Sequence, residues 1–154
     1  MKISWAICLL FASMLCLATH IRGKEWRSIV PLHSTRADVE RVLGSGTNWC
    51  KCAYYLDDMN VFINYSSGDC KSGGSGGWDV PADTVLKITV VPKPSPRLSD
   101  LKIDENRFEK QTGHIEGNIL YVDEEEGFSI EVSGGMVRAF VYGPDAKDKH
   151  LRCR

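Results

Sequence analysis

Between an acidic run and a pair of glycines, residues 127–135 read GFSIEVSGG. Phe128, Ile130 and Val132 alternate with Ser129, Glu131 and Ser133. A period of two sends successive side chains to opposite faces, so this is a strand with one buried side. Such a strand needs partners, and the chain supplies them. Residues 118–122 and 136–142 flank it as strands, and residues 52–56 and 61–65 read as a second hairpin around the turn residues DDMN. Residues 83–92 (DTVLKITVVP) add another strand, with Leu86, Ile88 and Val90 on one face.

Helical signals are fewer. In residues 31–46 (PLHSTRADVERVLGSG), Thr35 and Asp38 have capping-box spacing, Val39, Val42 and Leu43 share a face, and Gly44 is a natural stop. After the proline-rich connector KPSPRLSD, Ser99 or Asp100 starts a predicted second short helix running to Lys110. The predicted fold class is therefore α+β, short helices packed on an antiparallel β-sheet. The two hairpins also align: with one inserted residue in the second turn, Tyr55 meets Tyr121, Asp57 meets Asp123, Val61 meets Phe128, Ile63 meets Ile130 and Tyr65 meets Val132. The strands VLKITVVP and VRAFVYGP follow at matching places. This predicts two helix–hairpin–strand pseudo-repeats, about 27–92 and 98–144, in one domain covering 24–154.

The first 23 residues have the pattern of a signal peptide. Lys2 is followed by an apolar stretch from Ile7 to Leu17, too short to span a bilayer, with cleavage expected after Ala18 or Gly23. Leu15 stands where lipoprotein processing at Cys16 wants a small residue, which disfavours a lipid anchor. After removal of residues 1–23, 17 of the 19 Lys and Arg and all 20 Asp and Glu remain, a net charge of −3. No basic run exists, so nucleic acid is a poor partner. Export makes Cys50, Cys52, Cys70 and Cys153 a disulfide set. A bridge between Cys50 and Cys52 would be strained, so each is expected to pair with Cys70 or Cys153. The spacing is a poor match to zinc-binding pairs, and no metal or cofactor is expected.

The run Asp123, Glu124, Glu125, Glu126 is read as a hairpin tip, with Gly127 at a positive φ. Its alternative is a calcium-dependent module or a hydrolase. Consecutive glutamates on an extended chain do not converge on one ion, and adjacent carboxylates do not make the cleft a glycosidase needs. The histidines His33, His114 and His150 are scattered, and no serine sits in a nucleophile elbow. The glycine-rich residues 72–78 lack the Lys-Ser/Thr of a phosphate loop. The chain is therefore read as not an enzyme.

Aromatic residues are concentrated in the first half: Trp49, Tyr54, Tyr55, Phe62, Tyr65 and Trp78. A single sheet covered on one face leaves the other open, and exposed Trp and Tyr bind proteins well. Tyr54, Phe62 and Trp78 are the candidate binding residues. Asn64-Tyr65-Ser66 has the form of a glycosylation acceptor but falls inside a strand.

The segment IVPLHSTRADVERVLGSGT resembles the start of the small outer-membrane assembly lipoproteins of the SmpA/OmlA type, whose helix unit reads I-x-x-G-M-T-x-x-x-V-x-x-L-L-G-x-P. Ser34-Thr35, Val39, Val42-Leu43 and Gly44 match; His33 replaces the glycine, and Gly46-Thr47 the final proline. Two such units in tandem resemble the β-lactamase inhibitor protein fold, in which two helix–sheet units present a concave sheet to a partner. The ending Leu151-Arg152-Cys153 is similar to that of small exported bacterial proteins. The expectation is an exported, non-enzymatic protein-binding module of the cell envelope or secreted fraction, without an integral membrane span.

Overall fold

The computed structural model describes residues 24–47, 51–71, 77–113, 115 and 117–153. Residues 1–23 with Cys16, where a signal peptide is expected, and Trp49, Cys50, His114 and most of the glycine-rich loop, lie outside the described residues. Seven strands form one antiparallel sheet: β1 (Ala53–Tyr55), β2 (Met59–Tyr65), β3 (Val85–Pro92), β4 (Glu109–Thr112), β5 (Asn118–Asp123), β6 (Phe128–Ser133) and β7 (Met136–Tyr142). Their order across the sheet is β1-β2-β3-β7-β6-β5-β4.

The α+β expectation is overturned. Among the described residues strand takes 40% and helix 18%, and only one helix reaches seven residues, so the fold is mostly β. That helix is α1 (Arg36–Leu43). Both arms of its predicted capping box form: the Asp38 N–H donates to Thr35 Oγ1 at 3.3 Å, and the Thr35 N–H to Asp38 Oδ2 at 2.8 Å. Gly44 ends it at φ +80. Eight residues are too few to hold a helix in water alone, so α1 depends on docking fully buried Val39 into the core, worth ~2 kcal/mol. Val42, expected beside it, is 43% exposed.

The predicted second helix does not form. Leu98–Leu101 and Glu105–Arg107 are single 3-10 turns, separated by Lys102 at φ +49, and β4 follows directly. The physical reason is spacing. Leu98, Leu101 and Phe108 would share one face of a helix, but Ile103, which also reaches the core, would lie on the opposite side, so the chain turns at Lys102 to insert it. Strand β4 carries no apolar residue and is exposed at every position, so no alternation marks it.

Register divides the sheet into two faces. Tyr54, Val61, Val90, Phe140, Ile130 and Tyr121 lie opposite one another across six strands, β1 to β5. This row belongs to the core, which α1, the 26–32 segment and the 98–108 segment cover. One residue along, Phe62, Thr89, Val141, Ser129, Val122 and Glu109 form a second row on the opposite face. None of these six is in the core cluster.

The centre of the sheet has a local two-fold relation. Strands β3 and β7 pair as Ile88–Tyr142, Thr89–Val141 and Val90–Phe140. In the alignment of VLKITVVP with VRAFVYGP, Thr89 and Val141 are equivalent, and the pairs on either side exchange equivalents. The two three-strand meanders thus meet about Thr89 and Val141.

Candidate functional site

The three aromatic candidates go to different places. Tyr54 is 2% exposed, on the core face, with its hydroxyl donating to the Lys51 carbonyl at 3.0 Å. It anchors β1 and presents no ring to solvent. Phe62 is on the opposite face at 37% exposure, edge-on to Tyr55 at 6.4 Å. Tyr55 is 60% exposed and belongs with it. Sequence reasoning passed it over because adjacent tyrosines in a strand face opposite ways, and composition alone does not say which turns inward.

Trp78 is half-buried and forms an isolated antiparallel bridge with Arg152, whose guanidinium lies 4.9 Å from the ring centre. The Asp79 N–H donates to the Leu151 carbonyl at 2.7 Å, and the Cys153 N–H to the Gly77 carbonyl at 3.0 Å. A disulfide joins Cys70 to Cys153, Cα to Cα 5.6 Å. This corrects the expected pairing of Cys50 and Cys52 with those two cysteines. Cys52 is disulfide-bonded to a partner outside the described residues. Elimination by strain missed the true pairing because backbone hydrogen bonds around Trp78 bring Cys70 and Cys153 together.

Between this C-terminal strap and the sheet lies a groove of about 240 Å³. Val122, Ser129 and Val141, members of the outer row, lie along it with Gly143, while Trp78, Lys149 and Arg152 line it from the strap. At ~4.8 Å per strand, Val141 lies two strands, ~10 Å, from Phe62. The groove and the Tyr55–Phe62 pair therefore lie on one face, which the strap covers only in part.

The acidic run is a hairpin tip, with Gly127 at φ +62. Glu124, Glu125 and Glu126 are exposed. Asp123 differs: it is 6% exposed, accepts from Arg107 Nε at 2.6 Å and takes the Glu126 N–H at 3.1 Å. Its carboxylate is thus spent on holding the turn and the 105–107 segment. Gly127 is required by close approach as well as by φ, since a Cβ there would collide with the Gly143 and Pro144 backbone.

A second charged cluster escaped sequence reasoning because its two halves, Lys24 with His33 and Asp145 with Asp148, are over 110 residues apart. Asp145 and Asp148 cap the 3-10 segment Ala146–Leu151 reciprocally, and both are buried. Lys24 Nζ reaches Asp145 at 3.1 Å and Asp148 at 3.0 Å, and His33 Nε2 lies 3.2 Å from Asp148. Burial pushes the Asp148 carboxyl up, but Lys24, the Asp145 backbone N–H and His33 together hold it below its ordinary value. Burial also raises the Tyr142 phenol to about 12. His150 is exposed, with Nδ1 2.8 Å from the Lys147 carbonyl.

Among the described residues, no three of His, Cys, Asp and Glu gather as a metal-binding group, and no helix is long and apolar enough to cross a membrane. Comparison with protein-family models, curated proteins and solved structures finds no match for this chain.

Proposed function

We propose that this chain is an exported, non-enzymatic protein-binding module of the cell envelope or secreted fraction, working through the outer face of its sheet. The observation that carries the reading is the outer row. Phe62, Thr89, Val141, Ser129 and Val122 run across five strands outside the core, with an exposed aromatic pair at one end and the Trp78 groove at the other. Rigid aromatic residues on a scaffold that needs no reorganisation give area at small entropic cost. The Cys70–Cys153 bridge agrees with an oxidising compartment, as does the signal-like start of the chain. The best-buried carboxylates are occupied structurally, Asp123 by Arg107 and Asp145 with Asp148 by Lys24, which favours binding over catalysis. The two-fold register about Thr89 and Val141 supports a tandem duplication behind the two halves.

Affinity capture from envelope and medium tests the reading, with the disulfides of the bait intact. A partner that is retained by the parent chain and lost on Phe62→Ala with Trp78→Ala, at unchanged melting, supports it. Retention by that double variant sinks it.

A further inference from the structure

The groove beneath Trp78 has features that the fold itself does not demand. Gly143 lines it without a positive φ, and a Cβ added there would meet only the Gly127 carbonyl, at 3.9 Å. Neither backbone conformation nor packing therefore calls for glycine at this position. What its missing side chain preserves is open space over Val141 and Ser129. The charges are uneven as well. Lys149 and Arg152 have no carboxylate at ion-pair distance among the described residues, whereas Asp123 and Asp145, which also line the groove, are already held in ion pairs, Asp123 by Arg107 and Asp145 by Lys24, which Asp148 shares. Glu124 is the one remaining acid, on the opposite rim. The strap is pinned by the Cys70–Cys153 bridge and two backbone hydrogen bonds, so Trp78 and Arg152 are already in position.

Two cations with no carboxylate partner among the described residues, one of them stacked on an indole, above an apolar floor suit a carboxylate carried on an apolar body. At about 240 Å³ the space falls below the usual range for whole small-molecule ligands, ~300–1,000 Å³. It fits the end of a chain. We propose that this groove captures the C-terminal carboxylate of a partner polypeptide, with Lys149 and Arg152 on the carboxylate and the last side chain against Trp78 and Val141. This rests on the protein-binding reading and names the part of the partner that the face recognises.

The test uses the disulfide-intact chain and a panel of N-acetylated tripeptides ending in Phe, Leu, Ala or Lys. Each is prepared as the free acid and as the C-terminal amide, with phenylacetate as a small carboxylate outside any polypeptide. Amide NMR shifts of Gly127 and Gly143 and the Trp78 indole signal report binding. Losing a charged hydrogen-bonded contact costs about tenfold or more in affinity. At least one acid should therefore bind at least tenfold tighter than its amide and than phenylacetate. Gly143→Val, which fills the space, and Lys149→Gln with Arg152→Gln should each abolish the difference while the remaining spectrum keeps its folded dispersion. Equal binding of acid and amide, no shift with any peptide, or full binding to Gly143→Val overturns the proposal. Phenylacetate binding as tightly as the best peptide overturns it in favour of a free small carboxylate. If acid and amide are equal while partner capture still depends on Phe62 and Trp78, only the carboxylate assignment fails and the binding module stands.

Discussion

Trp78 and Arg152 face one another across a single antiparallel bridge, with the guanidinium 4.9 Å from the indole centre and the Cys70–Cys153 disulfide next in the chain. A strap so short has little hydrogen bonding of its own, and the covalent link closes 83 residues of sequence. In the chain-entropy model a loop of that length is worth ~4.5 kcal/mol. Cys70→Ser with Cys153→Ser should lower unfolding free energy by about that amount in a urea titration, and the Trp78 ring should gain solvent access. An unchanged denaturation midpoint would show that the strap holds without the bridge.

The Lys24 cluster sets the pH response. The Asp148 carboxyl is depressed below its ordinary value of 3.8, and the Lys24 ammonium is raised above 10.5 by Asp148 and Asp145 despite the opposing effect of burial. A depressed acid stabilises the fold above its unfolded value and loses that contribution as pH falls. A raised base stabilises below its unfolded value and loses it as pH rises. Stability should therefore decline below about pH 4 and above about pH 10.5. Lys24→Met leaves two buried carboxylates without their cation, and about 3 kcal/mol should be lost at pH 7. Chemical denaturation of both chains across pH checks the size and both limbs.

At the hairpin tip, three glutamates and one aspartate should behave differently. Glu124→Gln, Glu125→Gln and Glu126→Gln together remove exposed like charges and should leave melting within about 0.5 kcal/mol of the parent, with no calcium-dependent shift. Asp123→Ala leaves Arg107 and the Glu126 N–H without their acceptor and should cost about 2 kcal/mol. A calcium-induced rise in melting, lost in the triple variant, would restore the ion-dependent alternative.

The two faces predict opposite outcomes for neighbouring aromatics. Tyr54→Ala empties a buried position and should cost about 3 kcal/mol or more. Phe62→Ala, on the outer row, should cost well under 1 kcal/mol. Thermal unfolding of the two variants side by side measures the contrast.

Local features were legible in the sequence. The Thr35–Asp38 cap, Gly44 as a stop, and strands β2, β3, β5, β6 and β7 all follow from periodicity and turn chemistry. Strand β4 was not, because Glu109, Lys110, Gln111 and Thr112 carry no alternation and pair only through backbone with β5. The second helix was over-read from isolated apolar residues that the core takes one at a time. Phe62 and Trp78, singled out by residue type, both lie along the candidate face. Tyr54 was assigned to that face although its strand turns it inward, and the same ambiguity hid Tyr55. Lys149, Arg152 and Gly143 enter the groove only through the strap, which is a tertiary contact between residues 78 and 152 that no local pattern encodes.

Hydroxyl-radical footprinting of the chain, alone and with its captured partner, distinguishes the two faces of the sheet in one experiment. Tyr55, Phe62 and Trp78 should be oxidised in the free chain while Tyr54 and Phe128 are spared, and the partner should protect the first three. Oxidation of Tyr54 as fast as Tyr55, or protection confined to the α1 side around Val42 and Phe108, would contradict binding through the outer face.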